Sequence, residues 1–157
     1  MALLFEPNSL YVLLLDPDSA CLFEWQLFLA STTITGRLFH ITNDSGPVAW
    51  EYKTEVVNMS TCERVVIALQ VGIIGPVMHA ALAARLRLVP LTIYSVRCRE
   101  SLCCRVWVQE ALFALDDEGY LNITKTAKEI EQEGRQLAIL NKSRGTRSVV
   151  RSSGFVG

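Results

Sequence analysis

Hydrophobic positions along the chain change period part-way. From residue 10 to residue 57 they run together or alternate, and beyond residue 60 they recur mostly at three and four. LYVLLL (10–15) reads as a short, wholly apolar strand. FEWQLFL (23–29) alternates, with Phe23, Trp25, Leu27 and Leu29 on one face and Glu24, Gln26 and Phe28 on the other. RLFHIT (37–42) comes after Gly36, and VAWEYKTEVV (48–57) after a DSGP turn. In the last of these, Val48, Trp50, Tyr52, Thr54 and Val56 share a face while Glu51, Lys53 and Glu55 share the other. Short links between the strands predict an antiparallel meander with one wet face.

The helical half begins with a capping signal. Ser60, with Glu63 three residues later, reads as a capping box that opens a helix over 61–71, closed by Gly72. Pro76 opens a second helix from its first position, and that helix ends before Pro90. LTIYSV (91–96) predicts a further strand leading into a helix over about 101–115 capped by Ser101. The final helix, 124–141, carries Ile123, Ala127, Ile130, Gly134, Leu137 and Asn141 on one narrow stripe. These elements make an α+β domain, an antiparallel sheet of about five strands packed against helices, over residues 1–141.

Composition narrows the class. A chain of 157 residues, 50% hydrophobic, is enough for one core and too short for two comfortable ones. The longest apolar runs, 11–15 and 65–78, are too short or too interrupted to span a bilayer, so no membrane span is expected. MALLFEPNSL has no basic leader region, which points to a cytoplasmic protein. Cys21, Cys62, Cys98, Cys103 and Cys104 lack CxxC spacing and the chain has only 2 histidines, so reduced thiols and no metal are expected. Lys142, Arg144, Arg147 and Arg151 make residues 142–157 a basic tail without an acid, within a chain of net charge −1. No basic stripe or aromatic RNA motif accompanies it, so no nucleic acid is expected and the tail is read as solvated. Neither GxGxxG nor a P-loop occurs. The oligomeric state, a homodimer included, stays open.

Candidate chemistry centres on SLCCRVWVQEAL (101–112). With Ser101 as cap, Cys104 falls at the third helical position, where free N–H groups and the helix dipole favour a thiolate. Cys104 also continues into Val108, Ala111, Leu112 and Leu115 at helical spacing, which marks a buried structural thiol.

FEWQLFL and CRVWV together resemble a group of small fungal proteins with an x-W-x-L-F-L strand and a C-R-x-W-V helix, in which His usually opens the strand motif. More distantly, over about residues 20–140, the chain resembles circularly permuted papain-like folds such as the NlpC-type peptidases and the lecithin:retinol acyltransferase group. That resemblance implies a nucleophile at Cys104, a base at Glu24 and a third polar group at His40. Here Glu24 departs from the pattern: a carboxylate with a pKa of about 4.3 is a poorer base for a thiol than an imidazole of about 6.5. Whether His40 shares a face with Glu24 depends on hairpin register.

The fungal group is linked to natural-product pathways, and the chain is similar to cofactor-free Diels–Alderases of the norbornene-synthase kind. This implies cyclisation or isomerisation of a hydrophobic terpenoid or polyketide, without a cofactor. The pocket is expected to be apolar, lined by Glu24, Gln26 and Phe28 with Trp50, Tyr52, Tyr94 and Trp107. Gln26, an indole, a phenol or a protonated Glu24 would donate to a substrate carbonyl. A thiol hydrolase or acyltransferase using Cys104 is the second reading, and a non-catalytic ligand-binding or interaction domain the third.

Overall fold

The apolar run near the N-terminus forms the middle of a sheet in the computed structural model, which describes residues 2–17, 23–43 and 50–155. Strand β1 (Ser9–Leu15) is buried at every position. It pairs antiparallel with β2 (Glu24–Ala30), which pairs with β3 (Thr35–Thr42), which pairs with β4 (Glu51–Asn58). This is the expected meander. The DSGP turn and Cys21 lie outside the described residues.

The fold is α+β, and its mostly antiparallel sheet has the order β4-β3-β2-β1-β5-β8, where β5 is Val65–Ile73 and β8 is Ser148–Arg151. Both faces are covered, which is why β1 is a continuous apolar run instead of an alternation. Leu10, Val12 and Leu14 join Trp25, Leu27, Phe39 and Ile41 in a cluster completed by the helices. Tyr11, Leu13 and Leu15 join Phe28 and Leu38 on the other face, under Leu3 and Phe5 of the N-terminal segment.

The helix expected over 61–71 is a strand, β5 (Val65–Ile73), antiparallel to β1. The apparent capping box is a local turn: Ser60 donates through its N–H and its hydroxyl to Asn58 Oδ1, at 3.0 and 2.7 Å. Val65, Val66, Ile67 and Val71 are β-branched and suit a strand buried on both faces, so pairing prevails over the capping signal. The strand expected over 91–96 shrinks to β6 (Tyr94–Ser95), which among the described residues pairs with β7 (Glu100–Ser101) alone, in a small hairpin off the main sheet.

Helix α1 (His79–Arg87) comes after a single 3-10 turn that has Pro76 at its start. Helix α2 (Cys104–Asp117) is capped by Cys103 in extended conformation, because Ser101 is committed to β7. Cys104 is therefore the first helical residue, not the third. Helix α3 (Ala127–Arg144) has a genuine capping box, Thr126 with Glu129, and ends at Gly145 with φ 65°. Its stripe packs as expected through Ala127, Ile130 and Gly134, while Ala138 is buried where Leu137 was expected and Leu137 is half-buried. At Gly134 a Cβ would come within 3.2 Å of Leu14 Cδ1, so the helix lies close against β1.

The solvated tail is the other correction. Ser148–Arg151 form β8, parallel to β5, and Ser152 N–H continues the pairing to Gln70 O at 2.9 Å. Arg147 donates to Val65 O at 2.9 Å, and Asn141 Nδ2 to Val66 O at 3.0 Å. Open β5 carbonyls and two valines account for the docking; the charge count saw only the arginines. No helix among the described residues is long and apolar enough to cross a membrane.

Candidate functional site

Register decides which candidate residues meet. Phe28 lies opposite Leu38 and Leu27 opposite Phe39, so the alternation puts Glu24, Gln26, Phe28 and His40 on the N-terminal face. Cys104, Trp107, Trp50 and Tyr52 belong to the helix face. Tyr94 stands apart, 52% exposed on the β6–β7 hairpin. The expected single pocket is thus divided by the sheet itself.

Each group then has a definite environment. Cys104 Sγ accepts from Trp25 N–H at 3.4 Å. Burial pushes the Cys104 thiol up, against the opposing pull of that N–H, while Cys103 and Glu24 push it further up. Glu24 accepts from Gln26 Nε2 at 3.0 Å and from Arg64 Nη2 at 2.6 Å. Each of its oxygens thus accepts a hydrogen bond from a neighbouring side chain. His40 lies opposite Lys53, with Nε2 3.9 Å from Glu55 Oε1. Phe28 is fully buried edge-on to Phe5, ring centroids 5.0 Å apart, as part of the core.

Tyr52 and Trp107 do come together. Tyr52 lies opposite Ile41 on the helix face, its ring tilted 45° against the Trp107 indole with centroids 5.9 Å apart. Arg87, at the end of α1, sits 5.5 Å from the centre of the Tyr52 ring. A cleft of about 550 Å³ opens here, lined by His40 and Thr42 of β3, Tyr52 to Glu55 of β4, and Arg87. Residues of both alternations contribute, so the cleft runs along the outer edge of the sheet.

Tyr52 and Thr54 line this edge, and Trp107 packs against Tyr52. Tyr52 OH, Thr54 Oγ1 and Trp107 Nε1 are all buried and make no hydrogen bond among the described residues. Buried polar groups are nearly always paired, and each one left open costs about 1–3 kcal/mol. Burial pushes the Tyr52 phenol up, opposed by Arg87 and by the Thr54 hydroxyl, so it remains a proton donor at neutral pH. Thr54 and Arg87 were not singled out in the sequence. The strand alternation that marked Tyr52 also marked Thr54, and Arg87 was hidden among charges at a helix end.

The chain matches no family model, no curated protein and no solved structure. The site therefore stands on its own geometry. Among the described residues, no group of three or more His, Cys, Asp or Glu is placed to hold a metal ion.

Proposed function

We propose that this chain binds a hydrophobic metabolite carrying a carbonyl oxygen in the Tyr52 cleft and promotes its cofactor-free cyclisation or isomerisation. The observation that carries the reading is the Trp107 Nε1–H, buried without an acceptor among the described residues, behind Tyr52, whose hydroxyl and that of Thr54 lie in the wall of the cleft. All three can donate a hydrogen bond, and a carbonyl oxygen is an acceptor for them.

An intramolecular cycloaddition of the Diels–Alder type exchanges two π bonds for two σ bonds within one molecule. It requires no nucleophile and no proton transfer. Holding the folded conformer supplies much of the rate, and a hydrogen bond to the dienophile carbonyl draws electron density away and lowers the barrier further. Tyr52 is the donor in this scheme, with Thr54 and Trp107 orienting the oxygen and the Tyr52–Trp107 ring pair carrying the apolar body. A thiol mechanism has less support, since Cys104 is half-buried with its Sγ taking the Trp25 N–H, Glu24 is held by Arg64 and Gln26, and His40 lies on the other face of the sheet.

Calorimetric titration with a panel of terpenoid and polyketide enones tests this. At least one enone should bind saturably, and Tyr52→Phe should weaken it about tenfold, the value of one neutral hydrogen bond. Gln26→Ala, on the opposite face, should leave the affinity unchanged. Equal binding by wild type and Tyr52→Phe, or selective loss in Gln26→Ala, would defeat the reading.

A further inference from the structure

We infer that a second cleft, between the β6–β7 turn, α2 and α3, binds a small organic anion whose carboxylate or phosphate is met by Arg99 and Lys128. This cleft, of about 400 Å³, lies apart from Tyr52 and goes beyond the proposed cyclase site. Its acids are already engaged. Arg105 donates to both oxygens of Glu100, and Glu131, only 7% exposed, accepts from Arg105, Arg135 and Gln109. The carboxylates on this wall therefore offer little repulsion to an incoming anion.

The cations facing the cleft divide into two kinds. Arg97 is bound to Asp117 at 3.0 Å and lies 3.7 Å over the Phe113 ring, a fixed cationic and apolar wall. Arg99 and Lys128 line the same cleft, and neither makes a hydrogen bond or ion pair among the described residues. Lys128 acts on Glu100 through space without a direct contact, and Arg99 is left to face the cleft.

Arg99 is also held in an unusual conformation. Its φ is 56°, in the left-handed region that favours glycine; Asn8, whose residue type tolerates that region, is the other such non-glycine residue described. The turn that holds Arg99 is tied down, with Cys98 N–H donating to Ser95 Oγ at 3.1 Å and Ser95 in turn bonded to Glu110 of α2. Glycine would relieve the backbone, yet the position presents a guanidinium to the cleft. An organic anion uses all of these features, its charged head on Arg99 and Lys128 and its body against Arg97 and Phe113.

Phenyl phosphate, benzoate and inorganic phosphate, titrated at low ionic strength into the full chain, separate the possibilities. Phenyl phosphate or benzoate should bind saturably, the tighter of the two naming the head group, and inorganic phosphate should bind more weakly than phenyl phosphate. Arg99→Gly and Lys128→Ala should each weaken binding about tenfold, the loss of one charge-assisted contact. Arg99→Gly should melt no lower than wild type, because glycine suits that backbone. The inference is overturned if neither organic probe saturates, if both variants bind as wild type does, or if inorganic phosphate binds as tightly as phenyl phosphate.

Discussion

Cys104 accepts a hydrogen bond from Trp25 N–H in a largely buried site, and burial holds its thiol above the range of a free cysteine. Alkylation by iodoacetamide at neutral pH should accordingly be slower at Cys104 than at a free thiol, and rapid selective labelling would restore the thiol mechanism. The same shift makes stability depend on pH. A folded-state pKa above the unfolded value of about 8.5 means that the thiol's contribution is complete below that pH and is lost as pH rises toward the folded value. Urea titrations from pH 8 to pH 10 should show a steeper loss for wild type than for Cys104→Ala. A parallel decline would remove Cys104 from the account. Helical spacing with Val108, Ala111 and Leu115 was enough to place Cys104 against the core, where it is half-buried. What the sequence hid was its cap: the β6–β7 hairpin takes Ser101, leaving Cys103 at the helix start.

Among elements, strands with a clear alternation or run were legible, and the boundary signals were less so. Two Ser/Thr-x-x-Glu patterns occur, at Ser60 and at Thr126, and only the second caps a helix. The two differ in the residues that come after them. Val65 onward is β-branched and finds a partner in β1, a contact far removed along the chain and invisible to local propensity. Thr126→Ala should cost about 1 kcal/mol in chemical denaturation, the usual value of an N-cap. The C-terminal strand was misread for the same reason, since nothing in KSRGTRSVVR announces an open strand edge. Truncation after Thr146 removes the β5–β8 ladder, the Arg147 bonds and two half-buried valines. The loss should be on the order of 3 kcal/mol, measured as a lower urea midpoint. An unchanged midpoint would mean that β8 contributes nothing to the fold.

At the scale of the whole molecule, a sheet covered on both faces separates residues that a sequence motif places side by side. Glu24 and Trp25 are neighbours in the chain, yet one meets Arg64 and Gln26 while the other packs among the helices. The sequence named Tyr52, Trp107 and Trp50 as ligand-facing aromatics, and all three belong to the helix side. Grouping them with Gln26 and Phe28 required a register that loop length does not supply. The cleft is more polar than the apolar pocket envisaged, with Thr54 and Arg87 in place of Glu24 and Gln26. Behind Tyr52 lies an indole N–H buried without an acceptor among the described residues, which can be watched directly. In ¹⁵N-labelled protein, the Trp107 Nε1–H resonance should move and gain protection from solvent exchange when a bound enone supplies a carbonyl oxygen, and Tyr52→Phe should diminish that response. An enone that binds while the Trp107 Nε1–H signal stays unmoved would contradict the assignment of this cleft as the site.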